Sequence, residues 1–398
     1  MSVPKVTAEK IVLVNGAVVL PDRVVRDAAL LLDSGVVVGL VAPGDAPEDA
    51  TRVDVGGRLV APGLVDIHIH GALGRSFNEG TEAAFDTILT ACAANGVTSV
   101  LATTATAPLE QLEESLATAR RWRQAPGNGA ELLGAHVEGP YFAASQAGAQ
   151  DPAHLRMPAD RQYERLLAYA DVIRIFTYAP ELPGASELTR RITELDIVAA
   201  AGHSAAREED LLPHFPLGLR HMIHIWSGQS TTVREGPWRK PGLLEVSLTR
   251  ADLTVEMIGD GKHLPPTLMK LAYRCIGADR LCLISDATSG AGLPDGAPFR
   301  MGEMSYVVGD GVGMLLDGTA FAGSTTLLNQ MVRVLIEQVD IPLVEAVRMA
   351  SLTPARVIGM DNRKGSLLPG RDADLVVFEP DFRPWRVMVK GQWLSHGQ

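Results

Sequence analysis

Along the middle of the chain, short apolar, β-branched runs alternate with stretches whose apolar positions recur every three or four residues. The runs at 64–70, 99–103, 132–138, 172–178, 197–203, 222–226, 253–259 and 281–286 read as buried strands. The stretches at 82–95, 109–123, 160–170, 186–194, 207–214 and 266–277 read as amphipathic helices. Strands alternating with helices imply a parallel sheet, and eight of them predict an α/β fold of the closed (β/α)8 TIM barrel type, with chemistry at the C-terminal strand ends. An open, doubly wound sheet is the alternative. No G-x-G-x-x-G follows the first strand and no P-loop spacing is present, which disfavours it. Residues 299–316 read as an inserted hairpin turning at Gly309-Asp310-Gly311, and helical stretches at 325–338 and 343–350 complete the barrel.

Both ends of the chain have a different texture. Residues 11–14, 28–32, 36–41 and 53–55 form short β-rich segments between turn residues, which predicts a small antiparallel sheet, and 373–378 and 385–389 repeat the pattern. The chain therefore divides into a small β-sandwich domain of residues 1–62 plus 366–398 and a catalytic barrel of residues 63–365. Pro62-Gly63 marks the crossing.

A length of 398 residues with 46% hydrophobic residues supports one large core and a smaller one. The net charge of −11, without a long Lys/Arg run, argues against nucleic acid or an anionic membrane as partner. An anionic substrate would need a local cationic pocket. Residues 1–10 lack a charged-then-apolar leader pattern and no apolar run reaches spanning length, so a cytoplasmic protein is expected. Cys92, Cys275 and Cys282 stand in apolar contexts without C-x-x-C spacing and read as buried, reduced thiols.

Asp66-Ile67-His68-Ile69-His70-Gly71 carries the first chemistry. In a strand, alternate side chains share a face, so Asp66, His68 and His70 point one way and the isoleucines the other. The ends of the other proposed strands add Glu138, His203, His224 and Asp286. One such residue alone is more often a strand-end histidine or a carboxylate capping a loop. Six nitrogen and carboxylate donors at matching positions point to a borderline divalent cation such as zinc, as one or two ions per subunit. His136, His154, His214, His221 and His396 fall outside this ring and read as surface, supporting or core residues. A cation so held lowers the pKa of bound water from about 16 toward about 7 and polarises a carbonyl, which suits hydrolysis of an amide or ester. Asp286 is placed to take a proton from that water and give it to a departing nitrogen.

The order of these donors, inside a chain whose ends form a sandwich, resembles the metal-dependent amidohydrolase superfamily and, within it, the N-acetylglucosamine-6-phosphate deacetylases. The resemblance runs through Pro62-Gly63-Leu64-Val65-Asp66-Ile67-His68-Ile69-His70-Gly71, His136-Val137-Glu138-Gly139-Pro140, Ala179-Pro180-Glu181, Ala201-Gly202-His203-Ser204, Ser285-Asp286-Ala287, Ala322-Gly323-Ser324 and Gly365-Ser366-Leu367-Leu368-Pro369-Gly370. It implies that Glu138, His203 and His224 hold the metal nearest the substrate and that His68 and His70 complete a second site. It further implies Asp286 as general acid and base, His263 as a substrate-contacting and oxyanion-stabilising residue, a small-molecule amino-sugar substrate and a homodimer.

Departures from the family pattern fall where substrate is read. In place of an Asn-Ala-Met sequence after the metal-binding histidine, His224 is followed by Ile225-Trp226-Ser227-Gly228, and Gln150 stands where a histidine is common. Ala144-Ser145-Gln146 replaces basic residues. Residues 231–240 are longer than expected, and Arg239 or Arg234 matches an arginine that in the family reaches a phosphate across a dimer interface. Trp226, Ser227, Gly228 and Gln150 are thus candidate substrate contacts. One alternative keeps the centre and changes the substrate to another acylated amine, a cyclic amide or an unphosphorylated amino sugar. Another, of a different class, is a catalytically silent binding protein, for which Asp286 beside a metal has no use.

Overall fold

The computed structural model describes residues 9–301, 304–316, 318 and 321–394. His396 and most of the N-terminal stretch read for a leader lie outside these residues. Eight parallel strands, Leu64–Ile69, Val97–Thr104, Glu131–Glu138, Ile173–Tyr178, Val198–Ala201, Leu219–Met222, Thr254–Ile258 and Leu281–Ile284, neighbour one another in chain order. Every residue of the first two is buried, as parallel strands covered on both faces require. The first and last then meet. The Asp286 N–H donates to the His68 carbonyl at 2.9 Å and the His70 N–H to the Ala287 carbonyl at 2.8 Å, which closes the barrel and excludes the open sheet.

Helices cover the outside where the periodicity predicts them. Glu82–Ala94 starts from Thr81, whose hydroxyl accepts the Ala84 N–H at 3.3 Å, and Pro266–Ile276 starts on a proline whose missing N–H costs nothing there. The helices expected over 160–170 and 207–214 shrink to Tyr163–Leu167 and Glu208–Leu211, each with a short 3-10 turn beside it. A further helix, Leu243–Thr249, precedes the seventh strand. Among the described residues, no helix is long and apolar enough to cross a membrane.

The expected sixth strand, 222–226, begins where the observed one ends. Past Met222 the backbone enters the left-handed region at His224 (φ 21°) and Trp226 (φ 72°), and the Ile225 N–H turns to the Glu256 carbonyl at 2.8 Å. Ile223 and Ile225 are buried in the main core, so loop burial alone produces the alternation that mimics a strand. The segment after the eighth strand is also richer than one hairpin. Pro298–Met301, Met304–Gly309, Val312–Leu315 and Phe321–Ser324 form four antiparallel strands, and the turn lies where expected, with Asp310 and Gly311 both left-handed.

The chain ends build two facing sheets. One orders Val36–Val41, Ala29–Asp33, Lys10–Val14 and Thr51–Asp54, and the other includes Pro384–Val389, Leu375–Phe378, Leu59–Pro62 and Ala17–Val19. Ile11, Leu13, Leu30 and Leu32 pack against Val18, Val60, Leu375 and Val377 between them. The sheets are mixed rather than antiparallel, because Lys10–Val14 runs parallel to Thr51–Asp54 and Ala17–Val19 parallel to Leu59–Pro62. Cys92 and Cys282 are buried and Cys275 is exposed, and all three are free.

A buried lysine ties sandwich to barrel. Lys364 is 1% exposed, and its Nζ lies 2.5 Å from Glu131 at the start of the third barrel strand, 2.9 Å from Asp372 and 2.5 Å from Asp374. Burial alone would raise Glu131 and Asp372, but the Lys364 charge outweighs it and holds both below the ordinary carboxylate range, whereas Asp374 stays raised by burial. The stabilisation carried by the two lowered groups is present at neutral pH and lost as pH falls through their folded-state values. Asp374 has the opposite sign. Replacing Lys364 by Met should cost about 3–5 kcal/mol at pH 7, because the carboxylates lose the buried ammonium between them and keep only the more exposed Arg363 and Lys390. Urea unfolding should show that gap narrowing as the pH is lowered through the carboxylate range.

Candidate metal centre and active site

At the C-terminal mouth of the barrel, side chains from the first, third, fifth, sixth and eighth strand ends converge. Glu138 Oε1 lies 3.0 Å from His224 Nε2, 3.2 Å from His203 Nε2 and 3.5 Å from His68 Nε2. His70 Nε2 lies 3.4 Å from the other Glu138 oxygen and 3.3 Å from Asp286 Oδ1, which is itself 3.6 Å from His68 Nε2. All six proposed ligands thus share one small volume, and His68–His70–Asp286 and His68–Glu138–His224 each have ligand atoms within 4.8 Å of one another. The cluster Glu131–Asp372–Asp374 also meets that spacing, but the Lys364 ammonium fills it.

Ring orientation fits a cation. His203 Nδ1 donates to the Gln146 carbonyl at 2.8 Å and His224 Nδ1 to the Ser227 carbonyl at 3.1 Å, so on both rings Nε2 keeps its lone pair and faces Glu138. His68 Nδ1 meets Glu256 Oε2 at 2.8 Å, and its buried Nε2 has no hydrogen-bond partner. Two buried carboxylates, Glu138 and Glu256, and the partly buried Asp286 gather with the imidazoles and call for positive charge. Burial opposes a charged His68, yet Glu256 and Glu138 outweigh it and hold its pKa well above the ordinary value. Without a cation the pocket collects a proton, and a cation takes that proton's place.

The backbone is strained where these groups sit. His203 (φ 45°), His224 (φ 21°) and Asp286 (φ 46°) all occupy the left-handed region just past their strands, which non-glycine residues rarely enter. Asp66 braces the seam from below. Its Oδ1 accepts the N–H groups of both His68 and Ser285 at 3.3 Å, and burial raises its carboxyl to about 6.

Several residues that shape the site carried no assigned role in the sequence reading. Asp260 Oδ2 holds His263 Nδ1 at 2.7 Å, leaving Nε2 for the cleft. Burial pushes His263 down, but Asp260 outweighs it and raises the imidazole. Glu256 lies on the seventh strand, fully buried, between His68 and His221. His136 is fully buried beneath His68, bonded to the Ile67 carbonyl and Thr177, and burial lowers it to about 3. The acidic residue before Met257-Ile258-Gly259-Asp260-Gly261 was the available signal for Glu256: a charge in an otherwise apolar strand needs a partner.

The cleft above the ligands measures about 250 Å³ and is lined by Gln150, Ser227, Gly228, His263, Met301 and Phe321 among others, with no Lys or Arg among its described lining residues. Gln150 accepts the Thr106 N–H at 2.7 Å and donates to Glu138 Oε2 at 2.5 Å, so its amide is engaged with the protein. Trp226 packs against the main core and does not line the cleft. Arg234 and Arg239 face one another on an exposed hairpin of Val233–Glu235 and Trp238–Lys240, outside this chain's cleft.

Residues 59–394 match the profile of the Amidohydrolase family. The chain belongs to that family. It is therefore a hydrolytic enzyme acting on amides, of a metal-dependent kind. This amidohydrolase is 32% identical over 369 residues, 92% of its length and 90% of the relative's, to an N-acetylglucosamine-6-phosphate deacetylase of Vibrio furnissii. It is also 32% identical over 370 residues, 93% of its length and 95% of the relative's, to an N-acetylgalactosamine-6-phosphate deacetylase of Escherichia coli O157:H7. Among solved structures, the N-acetylglucosamine-6-phosphate deacetylase from Pasteurella multocida matches with a TM-score of 0.90 at 27% identity, over 97% of this chain and 100% of that one. An enzyme of the same name from Mycobacterium smegmatis, solved in complex with N-acetyl-D-glucosamine-6-phosphate, matches with a TM-score of 0.87 at 28% identity, over 97% and 99%.

Two glycines of the amidohydrolase cleft provide a matched test of the His203 position. Both are left-handed, but a Cβ on Gly228 would lie 2.8 Å from His203 Nδ1, and one on Gly148 no closer than 3.6 Å to that ring. Gly228→Ala should weaken metal retention on the order of ten-fold by displacing His203, and Gly148→Ala should weaken it less. Metal content after dialysis against a chelator reads the difference.

Proposed function

We propose that the enzyme removes the N-acetyl group from an amino sugar 6-phosphate, most simply N-acetylglucosamine 6-phosphate, giving acetate and the free amine. The observation that carries this reading is the convergence of His68, His70, Glu138, His203, His224 and Asp286 on one cleft, in a chain related over most of its length to deacetylases of such sugars. The donor set suits zinc, as one or two ions held by Glu138, His203 and His224 and by His68, His70 and Asp286. Bound there, a divalent cation supplies hydroxide-like water at neutral pH and polarises the acetamide carbonyl.

The chain's own groups complete the reaction. Asp286 Oδ1, held beside His70 at 3.3 Å, takes the proton from the attacking water and delivers it to the nitrogen, which must leave protonated. His263, fixed by Asp260 through Nδ1, donates from Nε2 to the carbonyl oxygen as negative charge develops. Glu138 and the histidines hold their geometry throughout.

The sugar phosphate needs a cation that the described lining of this chain's cleft does not offer, and the exposed Arg234–Arg239 hairpin is suited to reach a second subunit. We therefore read the enzyme as a homodimer in which Arg239 or Arg234 completes the neighbouring site. The free thiols accord with a reducing, cytoplasmic setting. The same lack of Lys or Arg among the described residues lining the cleft supports a second reading, an unphosphorylated acylated amine as substrate.

Asp286→Asn should lower turnover by at least about a hundred-fold while the protein still binds metal. Acetate release assayed beside metal content tests this, and activity near wild type would refute the proton-transfer role. Phosphorylated and unphosphorylated acetamido sugars, compared by kcat/KM, decide between the two substrate readings. In a dimeric enzyme selective for phosphate, Arg239→Ala or Arg234→Ala should raise KM for the phosphorylated sugar far more than for its unphosphorylated counterpart.

A further inference from the structure

Beneath the cleft, a row of polar groups crosses the barrel interior from the sixth strand to the first. Thr254 Oγ1 lies 2.7 Å from His221 Nδ1, His221 Nε2 lies 3.0 Å from Glu256 Oε1, and Glu256 Oε2 lies 2.8 Å from His68 Nδ1. His221, Glu256 and His68 are all fully buried, so no bulk water can exchange partners with them.

The carboxylate assigns the protons. Glu256 only accepts, so His221 Nε2, 3.0 Å from Oε1, carries the proton donated to it, with Thr254 Oγ1 at Nδ1 on the ring's other side. The other Glu256 oxygen takes the proton of His68 Nδ1, and the His224 N–H approaches the same oxygen at 3.4 Å. With a cation bound, His68 Nε2, which lies 3.5 Å from Glu138 and 3.6 Å from Asp286, is left with its lone pair.

We propose that Glu256 is a positioning residue for the metal centre, fixing His68 as the Nδ1–H tautomer with Nε2 turned to the cation, and that His221 holds Glu256 for this task. The inference rests on the metal-dependent reading above and adds to it a residue that touches neither substrate nor cation. His203 and His224 lean on neutral backbone carbonyls, whereas His68 leans on a carboxylate. A carboxylate partner makes the ring a stronger donor and brings negative charge to the innermost side of the site. A glutamine in its place would present an N–H to one of two imidazole N–H groups and break the pattern.

The test uses full-length protein loaded with zinc. Glu256→Gln should weaken zinc affinity about 10–100-fold in chelator competition. The imidazole nitrogen signals of 15N-histidine-labelled, zinc-loaded protein should lose one Nδ1–H, Nε2-coordinated ring. His221→Gln, which keeps the carboxylate but removes its donor geometry, should weaken zinc binding less and serves if the first variant does not fold. Wild-type zinc affinity in a folded variant, with the His68 signal unchanged, overturns the inference and leaves the hydrolytic function standing. A wild-type protein that takes up no divalent cation overturns the metal-dependent reading itself.

Discussion

Closure of the barrel between its first and last strands is the contact on which the rest depends. The Asp286 N–H bonds the His68 carbonyl, the His70 N–H bonds the Ala287 carbonyl, and Asp66 accepts N–H groups from both strands. These bonds bring together two segments more than two hundred residues apart in the chain, and in doing so put Asp286 beside His68 and His70. An open sheet of the same strands would leave these groups on opposite edges.

The electrostatics follow from that convergence. Glu138 and Glu256 are buried among imidazoles with the partly buried Asp286 beside them, and among the described residues no Lys or Arg lines the cleft above them. Buried carboxylates are tolerated when a positive charge meets them. At the foot of the barrel the same need is met by Lys364, which sits among Glu131, Asp372 and Asp374. At the mouth, the unpartnered Nε2 of His68 and the Nε2 atoms of His203 and His224 that face Glu138 leave the role to a cation from solution. One acidic cluster is structural and the other chemical because a resident ammonium fills only the first.

The cleft lining comes largely from loops rather than strands. Gln150, Ser227, Gly228, His263 and Phe321 reach the cleft from different loops or strand ends, so the lining of the cleft can change while the strand-end histidines and carboxylates stay fixed. Gln150 shows how closely the two are linked, since its amide lies against Glu138 as well as the cleft. The Arg234–Arg239 hairpin is exposed and lies outside the lining of its own cleft.

Much of the barrel was legible in the amino-acid order because local physics writes it there: strands buried on both faces are continuous apolar runs, helices repeat every three or four residues, and His68, His70, Glu138, His203, His224 and Asp286 interrupt apolar stretches that have no other use for them. Local patterning misled at 222–226, where a buried loop copies the alternation of a strand, and in the N-terminal portion, where parallel pairs hide inside what reads as a meander. Only the tertiary structure joined Glu256 to His68 across 188 residues, seated Lys364 among its carboxylates, turned Gln150 onto Glu138 and carried Trp226 and the two arginines away from the cleft. The physical reason is that a side chain's type and period are set by its neighbours in the chain, whereas its hydrogen-bond partner is set by which distant strand the closed barrel lays beside it.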